Sequence, residues 1–153
     1  MANTNFQFAK PGLNSVGSYQ MGGIPYASAN IPVIGASVFE LEFPTVTSFV
    51  TVTNSHSGVN SQLRVGFSAL GITDNNHFFI LENGESYTAD FRVRSIFIAG
   101  SAAGSGFEAG ATASVIAGLT QIETEHLPTN WSASDGTGLF NGTGIADQGL
   151  GGI

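Results

Sequence analysis

HFFILENGESYTADFRVRSIFIA, residues 77–99, is the stretch that decides the fold. It reads as two strands around one turn. His77 to Leu81 is a short apolar run, and Asn83-Gly84 supplies a turn because both residues tolerate positive φ. The return arm alternates. Tyr87, Ala89, Phe91 and Val93 fall on one face; Thr88, Asp90, Arg92 and Arg94 fall on the other. A period of two marks a strand with one buried and one wet face. At Ser95 the alternation stops, and Ile96-Phe97-Ile98 is apolar on both faces, as at a bulge or in a fully covered strand. The other strands are expected to be partners of this hairpin.

Working outward, the same period recurs. Upstream, Ser37 to Phe43 sets Phe39, Leu41 and Phe43 against Glu40 and Glu42, and Pro44 ends it. Val46 to Thr53 places Val46, Val50 and Val52 on one face, with Thr47, Phe49, Thr51 and Thr53 on a solvated one. A Ser/His/Gly/Asn loop from Asn54 to Ser61 follows. Gln62 to Ala69 then turns Leu63, Val65, Phe67 and Ala69 inward. Nearer the start, Val16 to Gln20 reads as an edge strand. Ile24 to Ala29 reads as at best an irregular one, because Gly22-Gly23 and Pro25 interrupt it, and Pro32 makes the next segment a loop or an edge. Downstream, Gly100 to Gly106 is a small-residue loop. Phe107 to Leu119 is Ala-rich, but Gly110 and Gly118 each cost a helix ~1 kcal/mol, so it is read as a strand, best from Val115 to Leu119. Thr120 to Leu127 continues it or turns.

About eight strands at short spacing with no long helix describe an all-β chain, a β-sandwich of jelly-roll-like form. The expected core is Phe39, Leu41, Val50, Val52, Leu63, Val65, Phe67, Phe91 and Val93. Three segments are expected: an extended N-terminal arm (1–15), the sandwich (16–127), and a Gly/Ser/Thr-rich C-terminal tail (128–153). In the arm, Phe6 and Phe8 share one face of an extended segment and Asn5 and Gln7 the other, with Pro11-Gly12 as a joint. These four residues are the candidate contacts to a partner; a frayed terminus is the alternative.

The composition narrows function. The 153 residues carry four Lys+Arg against eleven Asp+Glu, a net charge of −7. Nucleic-acid binding needs clustered cations and anionic membranes attract basic segments, so neither partner is expected. There is no cysteine, hence no disulfide or thiolate site. No leader or membrane-spanning helix is read. The two glycosylation sequons, at Asn130 and Asn141, are read as coincidence.

Chemistry-bearing groups are scattered. His56, His77 and His126 have no ligand spacing, although Glu125-His126 with nearby carboxylates is a weak metal candidate against an expectation of no metal and no cofactor. Glu40 and Glu42 lie on one strand face, where a solvated pair outweighs a glycosidase dyad. There is no Gly-x-Ser-x-Gly elbow, and Gly104-Ser105-Gly106 lacks a P-loop lysine. Trp131 and Tyr26 are the candidates for stacking on a sugar. No catalytic residue is assigned, and a non-enzyme is expected.

The order of segments resembles head decoration (cement) proteins of tailed bacteriophages. The matching stretches are Gly17-Ser18-Tyr19-Gln20, FVTVTN at 49–54, LRVGF at 63–67, HFFIL at 77–81 and ESYTADFRVRSIFIA at 85–99. SVIAGLTQI at 114–122 and Gly-Thr-Gly-Ile at 142–145 continue the order, so that it covers about residues 16–145. The Gly-rich end beyond Asp147 departs from it. The resemblance implies a β-sandwich that forms a homo-oligomer, commonly a trimer, and binds the major capsid protein on the exterior of an icosahedral virion. It transfers no active-site residue. A receptor- or carbohydrate-binding module of a phage fibre or tail is the second reading, and an enzyme the third.

Overall fold

A computed structural model describes residues 11–35, 37–58, 61–73, 77–101 and 110–127, with the backbone of 130–132 and 139–141. Eight strands form two antiparallel four-stranded sheets. They are β1 (Ile24–Val33), β2 (Phe39–Glu42), β3 (Thr47–Asn54), β4 (Leu63–Gly66), β5 (Phe78–Leu81), β6 (Ser86–Ala89), β7 (Ser95–Gly100) and β8 (Ala111–Leu119). One sheet runs β1-β8-β3-β6 and the other β2-β7-β4-β5. Thus β1 pairs with β8, β2 with β7, β3 with β6 and β4 with β5, so the second half of the chain retraces the first in reverse. Two short strands, β9 (Asn130–Ser132) and β10 (Leu139–Asn141), pair with each other.

This order corrects the reading of 77–94 as a paired hairpin. The turn exists: Glu85 N–H donates to Glu82 O at 3.0 Å and Gly84 has φ +77°. Its arms, however, enter opposite sheets, β5 beside β4 and β6 beside β3. Alternation specifies which face is buried, not which strand lies alongside, and both inner faces of a sandwich ask for the same pattern.

The sheets close on one core. Leu41, Val50, Val52, Leu63, Val65 and Val93 are buried as expected, joined by Ile96, Ile98 and Val115. Ala111, Ala113 and Ala117 on β8 are also buried, and these small side chains leave room for the larger ones opposite. Phe67 and Phe91 pack half-buried against this core. Phe39 is a correction: it is 41% exposed, because it begins the edge strand β2, which pairs only with β7.

Other expectations shift for local reasons. Val16–Gln20 is a short helix, α1, not an edge strand; five residues are too few to separate a period of two from 3.6. β1 is ten residues long, longer than expected, and is irregular as expected: its register shifts between Ser28 and Ile31, where Asn30 takes φ +56°. Pro25 and Pro32 are tolerated because β1 is an edge strand. Thr47 is buried rather than solvated: its Oγ1 accepts from Val93 N–H at 3.1 Å and donates to the Phe91 carbonyl. A register shift between Thr47 and Phe49 sends Val46 away from Val50 into a separate cluster with Ile122 and Leu127.

The strand expected over 62–69 stops at Gly66 and gives way to helix α2 (Ala69–Thr73), whose start is capped by Ser68 Oγ accepting from Gly71 N–H at 2.9 Å. Ile72 of this helix covers Phe97 and Ala99 from outside the sheet. That cover is why β7 is buried along its whole length, as the apolar run 96–98 indicated.

Candidate functional site

The arm residues Asn5, Phe6, Gln7 and Phe8 lie outside the described residues. The chain enters at Pro11-Gly12, where Ser15 N–H closes a turn on Gly12 O at 2.9 Å and leads into α1. Tyr19 of α1 is the anchor of this entry. The Arg92 guanidinium sits 3.9 Å from its ring centroid and donates from Nη1 to Leu13 O at 3.3 Å. Burial raises the Tyr19 phenol above its ordinary pKa and the Arg92 charge works against that. The phenol oxygen is buried and has no hydrogen-bond partner among the described residues.

Beside this anchor lies a groove of about 380 Å³ lined by Tyr19, Gln20, Ser48, Phe49, Asp90 and Arg92, together with Met21 and its glycines. It joins two aromatic rings to groups of both charge signs, a set able to stack on a ring and bond its hydroxyls. The sequence showed Tyr19, Phe49 and Arg92 only as members of separate segments, and no local signal links them.

The remaining candidates separate in space. Tyr26 packs edge-on against Phe43 with ring centroids 5.2 Å apart, half-buried against the core, which corrects its reading as a sugar platform. The side chain of Trp131 and the loop Gly104-Ser105-Gly106 lie outside the description. Glu42 pairs with Arg94 at 3.0 Å on the outer face of β2, with Glu40 exposed on the same face. His56 Nδ1 is 3.5 Å from Thr112 Oγ1, and His77 N–H donates to Gly71 O at 2.8 Å. Glu123, Glu125 and His126 bring their ligating atoms within 4.8 Å of one another on an exposed 3-10 turn, Thr124–His126. This is the nearest approach to a metal-ligand set among the described residues, and His126 Nδ1 already lies 3.2 Å from Glu123 O.

At the opposite edge of the sandwich an aromatic cluster seals the gap between β5 and β6. Phe67 meets Phe91 at 4.9 Å, Phe79 meets Tyr87 at 4.9 Å, and Tyr87 meets Phe91 at 6.3 Å. These contacts close the core where no strand joins the two sheets. Searches against known protein families, curated proteins and solved structures found no match to this chain.

Proposed function

We infer that the chain is a non-enzymatic virion structural protein, a decoration (cement) protein bound to the outside of a phage head. The strand order carries this reading. Pairing β1·β8, β2·β7, β3·β6 and β4·β5 across two four-stranded sheets supports reading the sandwich as a jelly roll, a fold used by capsid proteins and lectins. Fold alone does not assign function, so the resemblance of segments enters as its second support. In this reading the protein is a homo-oligomer and its partner is the major capsid protein. Attachment rests on shape, backbone pairing and apolar anchors, because a net charge of −7 gives no electrostatic grip on an acidic shell. Asn5, Phe6, Gln7 and Phe8 are the proposed contacts.

The test is co-sedimentation with phage heads stripped of their decoration protein. The full chain is expected to pellet with the heads. A chain lacking residues 1–10 is expected to keep its circular dichroism spectrum and remain in the supernatant. A full chain that never pellets refutes the decoration role; a truncated chain that pellets undiminished moves attachment elsewhere.

The groove beside Tyr19 and Phe49 favours a second reading, a carbohydrate-binding module of a fibre or tail. Glycan-array binding lost in Arg92→Ala would favour it over the first.

A further inference from the structure

We propose that the outer face of the β1-β8-β3-β6 sheet is the surface on which two copies of this chain associate, face to face. The proposal rests on the homo-oligomeric reading above and names its surface. None of β1, β3, β6 or β8 contains an Asp, Glu, Lys or Arg. The other sheet differs: Glu40, Glu42 and Arg64 occupy its outer side. The four strands therefore present an uncharged surface, and charge enters only at its end, where Asp90 and Arg92 line the groove beside Phe49.

The chemistry of that face suits a copy of itself. Thr51 and Thr88 meet at 2.8 Å between their hydroxyls, and Ser55 and Ser114 at 3.0 Å. A hydroxyl both donates and accepts, so a hydroxyl-bearing surface can bond its own duplicate, which a carboxylate surface cannot. At the centre stands Ile116, 53% exposed, between Ala27 on β1 and Thr51 on β3.

Size and charge agree. The nine residues of β8 span ~30 Å and four strands ~19 Å, so the face covers about 500 Å² once the short β6 is allowed for. Two such faces bury about 1,000 Å², the lower bound for a specific interface. Stacking at ~10 Å per layer keeps the two outer charged faces ~30 Å apart, well beyond the ~8 Å screening length at physiological salt. Association through the β1 edge is disfavoured by its prolines and register shift. One patch meeting itself gives a two-fold pair, whereas a ring of three needs two different patches on each copy.

Sedimentation equilibrium of the full chain at high micromolar concentration tests this. The mass expected is twice 15.8 kDa. Ile116→Lys and, separately, Thr88→Glu are expected to weaken the pair on the order of 100-fold, since each puts an unpaired charge into an interface that offers it no counter-charge. Ile80→Lys, on the outer side of the other sheet, is expected to leave the mass unchanged. Circular dichroism checks the fold, and Thr88→Glu at an exposed strand edge carries the test should Ile116→Lys fail to fold. A monomeric native chain, a mass unmoved by both face variants, or a mass lost in Ile80→Lys overturns the proposal. None of these touches the decoration reading, which is decided by binding to heads: a monomer that pellets leaves that reading standing, and a pair that never pellets leaves this one.

Discussion

Asn54 is where the path of the chain is most exposed to a single substitution. It is fully buried at the end of β3. Its Nδ2 donates to Ser61 O and to Leu81 O, each at 3.0 Å, and its Oδ1 accepts from His56 N–H at 3.2 Å. Its backbone holds the 82–85 turn, donating to Glu85 O and accepting from Gly84 N–H, both at 2.9 Å. One residue thus ties the end of one sheet to the last residue of β5 in the other. Asn54→Ala removes three hydrogen bonds of ~1 kcal/mol each and leaves two carbonyls short of a donor, at ~1–3 kcal/mol apiece where no water enters. Allowing for overlap between these terms, a loss of about 3–4 kcal/mol is expected. Asn54→Asp is expected to be worse at neutral pH, because a carboxylate would face the same two carbonyl oxygens. Burial and those oxygens raise its folded pKa above the unfolded value of ~3.9, so it binds a proton more readily when folded. Its stability relative to the native chain is therefore greatest below about pH 4 and is lost as pH rises through the folded pKa. Urea melts of the native chain and both variants at neutral and acidic pH measure this, with unchanged m-values as the check on the unfolded state. A cost below about 1 kcal/mol for Asn54→Ala, or an Asp variant whose deficit is the same at both pH values, refutes the role given to this side chain.

Further expectations concern packing and backbone. Ile98→Ala, at a fully buried site on β7, is expected to cost about 3–5 kcal/mol in a chemical melt, while Phe39→Ala at the exposed start of β2 is expected to cost well under half as much. Gly110→Ala is expected to destabilise more than Gly118→Ala: a Cβ at Gly110 (φ +94°) falls on Val33 O of the backbone, whereas at Gly118 it meets the Phe49 ring, which can turn aside. The Tyr19 phenolate is expected to appear above the ordinary value of 10.0 in an ultraviolet titration, and higher still in Arg92→Ala. Because the folded pKa is the raised one, Tyr19 contributes its full stability below pH 10.0 and loses it as pH climbs past that value. A phenolate appearing at or below the ordinary value would show that burial does not dominate there.

Period-two alternation made the all-β class legible and identified part of the core. Leu41, Val50, Val52, Leu63 and Val65 are buried on their strands and Val93 between β6 and β7, and of the two readings of the apolar run 96–98, bulge or covered strand, the covered strand is the one found. Local patterns also located the turn at Asn83-Gly84. They did not show that its arms part company, because the inner faces of both sheets demand the same alternation and only long-range pairing distinguishes them. Nor did they show α1 and α2, each of five residues, whose short runs carry no resolvable period. The buried Thr47, the Asn54 junction and the Tyr19–Arg92 stack join residues 27 or more positions apart, so tertiary structure alone decided them. The absence of charge from β1, β3, β6 and β8 was already in the sequence, but it became a single surface only when the fold laid those four strands side by side.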